Sequence, residues 1–158
     1  MSAVDVSDDP LLGFRFIVTI TGISGNILGF QSVTGLSMEC GVLDWIECTD
    51  PVTGIKLPKE VSYGDVTLAR GVSKNRYIVD WWEMVVKDSK EGSYGSFRKD
   101  VSITVYPKGY TSGSTGSRVI KVLNAWPSKL NYSDLEATSS DVFVESLVLS
   151  NEGIQTGP

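Results

Sequence analysis

The chain contains no histidine, and that absence removes several kinds of chemistry at once. Ser-His-Asp and Cys-His nucleophilic arrangements, an imidazole general base and His-ligated metals all need the missing residue. Cysteine is scarce as well. Cys40 and Cys48 cannot by themselves close a structural zinc site, and free thiols are the expectation for a reducing compartment. Their spacing still allows them to face each other across a hairpin. Long apolar runs are lacking too. No uninterrupted segment approaches the ~20 residues of a membrane-spanning helix, so no membrane insertion is expected. Basic clusters are missing: no run of five or six Lys or Arg occurs, and the net charge is −5. That balance argues against nucleic acid as the main partner, because phosphate binding needs grouped cations. The acidic opening Met1–Pro10 has no basic segment followed by an apolar one, so synthesis in the cytoplasm without a signal peptide is expected.

What remains is an ordinary globular composition, with 41% hydrophobic and 21% charged residues over 158 positions. One domain spanning 1–158 follows, large enough to bury a core. Within it, 1–9 is an acidic lead, 40–57 an extended arm and 107–117 a flexible Gly/Ser loop.

Leu12, Phe14, Phe16, Val18 and Ile20 alternate with Gly13, Arg15, Ile17, Thr19 and Thr21, the period of a half-buried strand. Phe30 to Glu39 gives a second strand interrupted at Gly35. From Cys40 to Lys56 the alternation loosens: Val42, Leu43, Trp45 and Ile46 put apolar residues on both faces, and Asp50-Pro51-Val52-Thr53-Gly54 is a turn signal. Such a hairpin needs a partner surface, since lone two-stranded ribbons are marginal in water. Leu57 to Gly71 reads as a short half-polar strand turning into a helix.

That helix is expected over about Asn75–Ser89. Tyr77, Ile78, Trp81, Trp82, Val85 and Val86 build one broad apolar stripe. Glu83 is placed to meet Lys87, Ser73 or Asn75 to cap the start, and Gly92 to end it. Further strands are read at Val101–Tyr106, Arg118–Trp126 and Asp141–Ser150, with a polar connection from Pro127 to Ser140. The fold class is mainly β (α+β): an antiparallel β-barrel or sandwich of six to seven strands, one flanking helix and an extended hairpin arm.

Candidate chemistry is thin. Trp81-Trp82 on an apolar stripe reads as core packing before ligand stacking. The carboxylate pairs Asp8-Asp9, Asp44 with Glu47, and Asp134 with Glu136 lie in polar segments, where solvated charge is the ordinary explanation. Gly109–Gly116 lacks the Lys-Ser/Thr ending of a phosphate loop and the flanking strand and helix of a dinucleotide fingerprint. No catalytic, cofactor-binding or metal-ligating residue is assigned.

Four blocks of sequence nevertheless resemble the phage tail-tube family, the inner-tube subunits of contractile tails and injection systems, related to type VI secretion tube proteins. The first is Asp9-Pro10-Leu11-Leu12-Gly13-Phe14-Arg15-Phe16 with Gly29-Phe30-Gln31-Ser32-Val33-Thr34-Gly35-Leu36. The second is Leu57 to Gly71, tightest at Val66-Thr67-Leu68-Ala69-Arg70-Gly71. Arg98-Lys99-Asp100-Val101-Ser102-Ile103 is the third, and Asn124-Ala125-Trp126-Pro127-Ser128-Lys129 leading to Val144–Gly153 the fourth. The arm is less basic and more apolar than the family's pattern.

The resemblance implies homohexameric rings stacked into a hollow tube, with strands of all subunits lining one channel. It also implies sheath subunits and baseplate or spike proteins as partners, and cargo or DNA in the lumen. Ser62, Asp65, Thr67 and Ala69 are the candidate lumen-facing positions, and Val42, Leu43, Trp45 and Ile46 the candidate inter-subunit arm. An acidic balance suits a lumen that repels phosphate. The alternatives are an initiator ring joining tube to spike and, in a different class, a monomeric β-sandwich binding glycans through Trp45, Tyr94 or Tyr110.

Overall fold

The structure, a computed structural model, describes residues 11–157 apart from 12, 14, 24–28, 49, 94, 108–117 and 139. The acidic lead 1–9, the Gly/Ser loop beyond Pro107, and Tyr94 and Tyr110 therefore lie outside the described residues. In chain order the elements are β1 (Phe16–Ile20), β2 (Ser32–Thr34), β3 (Met38–Glu47), β4 (Asp50–Tyr63), β5 (Val66–Gly71), α1 (Tyr77–Glu91), β6 (Lys99–Val105), β7 (Arg118–Tyr132), β8 (Val144–Ser150) and β9 (Gly153–Gly157).

All pairings are antiparallel, and they form two sheets. Seven strands make the larger one in the order β1-β6-β7-β8-β5-β2, with β9 also on β7; β3 and β4 make the other. The mostly β fold with one helix among the described residues is as expected, and of the barrel or sandwich the closed barrel is not formed. The end strands β1 and β2 do not pair, so no barrel closes among the described residues.

Alternation along the strands supplies the core. Val18 and Ile20 of β1, Val66 and Leu68 of β5, Val101 and Ile103 of β6, and Leu147 and Leu149 of β8 are all buried together. Ile78 and Trp81 of α1 belong to the same cluster, with Val122 and Ala125 of β7 and Ile154 of β9. Trp81 also donates its indole N–H to the Phe97 carbonyl at 2.7 Å, which removes the cost of a buried unpaired donor. The apolar stripe of α1 is narrower than the sequence suggests. Tyr77, Trp82 and Val85 are half-buried and Val86 is exposed. The buried line continues instead to Asp88, whose carboxylate accepts from Ser96 Oγ.

The helix starts two residues later than the sequence suggests. No side chain caps it: Arg76 holds the N-cap position, and Ser73 Oγ accepts from the Asn75 backbone N–H at 3.4 Å. Glu83 pairs with Arg76 at 3.1 Å rather than with Lys87. Gly92, at φ 73°, closes the helix in the left-handed conformation and donates its N–H to the Asp88 carbonyl.

Two expected boundaries move for physical reasons. The Leu57–Gly71 stretch is two strands, because Gly64-Asp65 breaks it between β4 and β5. β7 does not stop before Pro127 but runs on to Tyr132. Proline is tolerated there because it stands beside a bulge, the register with β8 shifting between Pro127 and Lys129. Just before it, Asn124 takes φ 48°, so β7 turns a corner. Its first half pairs with β6 and β9 and its second half with β8.

That corner joins the third and fourth of the family-like blocks. The Asn124 N–H donates to Asp100 Oδ1 at 3.0 Å and its side-chain amide to Glu152 Oε2 at 2.7 Å. Arg98 holds the other oxygen of Glu152.

Among the described residues one ion pair lies inside. Arg70 of β5 and Glu145 of β8 are 4% and 3% exposed, directly opposed in register, and bonded side chain to side chain. Arg70 Nη2 also donates to the Asn75 carbonyl at 3.2 Å, fixing the segment that leads into α1. Removing one partner of such a pair strands a buried charge, at a cost of about 3–5 kcal/mol. Glu145→Gln is therefore expected to lower unfolding free energy by that amount in urea titration, whereas Glu136→Gln, on an exposed position, should change it by less than about 0.5 kcal/mol.

Candidate assembly surfaces

The β3–β4 hairpin is the most unusual surface of the chain. It pairs with no strand of the larger sheet, and it runs from Met38 to Tyr63 rather than over 40–57. Beyond a bulge at Gly41, Leu43 pairs with Leu57 and Trp45 with Ile55 on one face. Val42 with Pro58 and Asp44 with Lys56 occupy the other. Asp44 stands opposite Lys56 in register, an arrangement of opposite charges that favours strand pairing.

All four expected arm residues are exposed: Val42 at 58%, Leu43 at 39%, Trp45 at 54% and Ile46 at 63%. Met38, Ile55, Leu57, Val61 and Tyr63 join them. Nine large apolar side chains on one ribbon far exceed the scattered exposure of an ordinary surface. Cys40 and Cys48 are free and exposed. Cys40 lies opposite Val61 and Cys48 follows the end of β3, so the two do not face each other across the hairpin.

The root of the arm explains two glycines. The Gly64 N–H donates to the Ser37 carbonyl at 3.0 Å, bringing the strands so close that a Cβ on Gly64 would sit on Ser37 Oγ. Gly35 has φ +83°, and a Cβ there would strike the Asp65 carbonyl oxygen. Asn151 Nδ2 donates to the Gly64 carbonyl at 2.8 Å, and Ser150 Oγ to Asp65 Oδ1 at 3.2 Å, tying the root to the end of β8. Two glycines flanking an apolar hairpin were the sequence signal for this crossing.

The four candidate lumen positions are split by the break at Gly64. Ser62 is on β4, in the arm, and Asp65 is exposed at the root. Thr67 and Ala69 share the half-exposed face of β5, opposite Val66 and Leu68. Register extends that face across four strands. Ser32, Ala69, Ser146 and Asn131 form one row, and Thr34, Thr67, Val148 and Lys129 the next. The face is small and mostly uncharged, with a single lysine, so it does not carry the acidity expected of a lumen.

Two more surfaces were not foreseen. A groove of about 470 Å³ runs along the outer side of α1, floored by Val79, Trp82 and Val86. The connection between β7 and β8 exposes Leu135 at 79% and Val142 at 74%. Among the described residues no group of three or more His, Cys, Asp or Glu could hold a metal ion, and no helix is long and apolar enough to cross a membrane. What these surfaces offer is contact area.

A fold of this kind with an unpaired apolar arm defines a β-rich subunit suited to assembly. The profile of the T4-like virus tail tube protein gp19 matches residues 12–155, and the chain belongs to that family, one of structural tube proteins and not of enzymes. No curated protein matches it. Among solved structures it is similar to a chain of the PVC sheath–tube complex of an extracellular contractile injection system in the extended state, with 21% identity, TM-score 0.78 and 96% of this chain covered against 94% of that one. It is similar to a chain of the anti-feeding prophage cap, with 21% identity, TM-score 0.77 and coverage of 94% and 91%. A more distant likeness is to Hcp1 from Flavobacterium johnsoniae, with 13% identity, TM-score 0.54 and coverage of 91% and 95%.

The glycine crossing at the arm root is directly testable. Gly64→Val should lower the melting temperature by several degrees, corresponding to about 2–3 kcal/mol of overpacking and strain. Gly95→Ala, where a Cβ meets nothing within 4 Å, should leave it unchanged.

Proposed function

We propose that this chain is the inner-tube subunit of a contractile injection system or phage tail. It forms hexameric rings that stack around a channel for cargo or DNA. The observation that carries the reading is the uncovered arm, together with membership of the tail tube family. A neighbouring subunit or ring covers the Leu43, Trp45, Ile55 and Leu57 face, which a monomer leaves in water. Full burial of one such side chain contributes about 1.5–3 kcal/mol. Nine partly exposed ones can together offset the freedom lost on association.

The mechanism is mechanical. A contracting sheath drives a rigid tube through a target envelope, and the subunit contributes stiffness and a smooth wall. The half-exposed face of β2, β5, β8 and β7 suits that wall. Thr67, Ala69, Ser146 and Ser32 are small and neutral, so a passing polyanion meets neither a basic trap nor a strong acidic barrier. Ser62 and Asp65 belong to the arm and its root. Sheath subunits and baseplate or spike proteins are the partners, since similar chains come from sheath–tube, cap and baseplate assemblies. The protein's place is the assembled particle.

An initiator or terminating ring of the same fold is the second reading, favoured by the likeness to chains of a tube-terminating cap and of a sheath/tube terminator. Copy number separates the two: a tube subunit is present in great excess over sheath-end proteins in purified particles.

Light scattering and negative-stain microscopy of the purified chain test the reading. Rings or hollow stacked tubes are expected from the native protein, and a strict monomer at high concentration that also bound glycans would overturn it. Trp45→Ala should abolish or strongly reduce assembly while the monomer melts as before. An unfolded Trp45→Ala monomer would instead make Trp45 part of the chain's own core.

A further inference from the structure

We propose that the groove on the outer side of α1 receives the β7–β8 loop, residues 133–143, of a second copy of this chain. This contact rests on the self-assembly reading above and goes beyond it by naming both sides.

The groove has an apolar floor of Val79, Trp82 and Val86 and a charged rim of Glu83, Lys87 and Lys90. Glu83 is already neutralised by Arg76 at 3.1 Å, and Arg76 also lies 3.7 Å from Asp80. Among the described residues no carboxylate pairs with Lys87 or Lys90. The rim therefore presents net positive charge beside an apolar slot, on a protein that is acidic overall. Trp82 in that slot is the kind of residue that dominates interface energetics when covered.

The loop has the opposite character. Its sequence carries Asp134, Glu136 and Asp141 and no Lys or Arg. Between the carboxylates stands Leu135, which at 79% is the most exposed large apolar residue described. The base of the loop is held. The Ser133 N–H donates to the Val144 carbonyl at 2.8 Å, Val144 N–H to Ser133 Oγ at 3.0 Å, and Tyr132 stacks on Phe143 with ring centroids 5.6 Å apart. A pre-held apolar knob flanked by acids loses little freedom when it docks.

Charge complementarity selects the occupant. Leu135 fills the slot against Trp82, and Asp134 and Glu136 meet Lys87 and Lys90. None of the described residues of 133–143 lines the groove of its own chain, and the contact is proposed in trans. Groove and knob are different patches, hence the contact is head-to-tail, the type that closes rings or propagates a stack.

Charge exchange tests it. Variants K87E/K90E and D134K/E136K are each expected to lower the assembled fraction by about tenfold or more at low salt, read by sedimentation. A chain carrying all four changes should recover to within about twofold of the native protein, since opposite charges face each other again. Thermal melting confirms that each variant folds. Salt gives an independent reading on conservative variants: native assembly should weaken as ionic strength rises, and K87Q/K90Q should flatten that dependence.

Single reversals that assemble like the native protein would overturn this contact while leaving the tube reading intact, and so would a four-fold variant no better than either parent. Native protein that stays monomeric at high concentration would overturn this contact, and one that also bound glycans would overturn the tube reading with it.

Discussion

A two-stranded ribbon has two faces and no layer of its own to cover either. The β3–β4 hairpin puts nine large apolar side chains on such a ribbon, and it pairs with no other strand among the described residues. Water is a poor solvent for that surface, and an isolated hairpin has little stability to spare. The rest of the molecule can be understood as the mount for this element. Gly35 and Gly64 let the strands cross at its root, and Asn151 and Ser150 tie that crossing to β8. The buried Arg70–Glu145 pair locks β5 to β8 one strand away. The arm projects from a rigid point on a packed sheet, which is what a subunit needs if its contact geometry is to repeat along a tube.

The same sheet separates apolar from polar surface. Its inward face is a continuous apolar core with one fully engaged ion pair. Its outward face across β2, β5, β8 and β7 is small and nearly neutral. Charge is concentrated elsewhere: at the corner of Arg98, Asp100 and Glu152, in the β7–β8 loop, and along α1. The net charge alone was therefore a poor guide to where charge sits.

Much of the fold was legible because period and punctuation agreed. Alternation at Phe16, Val18 and Ile20, the apolar recurrence at Ile78 and Trp81, and Gly92 after the helix follow from local sequence alone. The arm was legible from the loss of alternation around Val42–Ile46. What stayed hidden depends on distant partners. Pro127 reads as a strand end, yet a bulge against β8 carries the strand past it. Ser73 and Asn75 look like caps, but the Arg70 guanidinium takes the Asn75 carbonyl and the helix begins later. The candidate lumen residues looked like one strand because Leu57 to Gly71 reads continuously, with Gly64 taken as part of it rather than as one of the two glycines at the arm root. Trp82 looked like core because an i, i+1 apolar pair does not tell which of its members turns outward.

Amide hydrogen exchange over residues 38–63, compared between the dispersed protein and its assembled form, tests the central claim most directly. The account holds that the arm is uncovered in one chain and covered by other copies in the particle. Exchange across the arm should therefore be fast in the monomer and slow by about a hundredfold or more on assembly, while the already buried strands β5 and β8 change little. Equal arm exchange in both states would contradict it, because the apolar ribbon would then remain in water in the very assembly that is supposed to cover it.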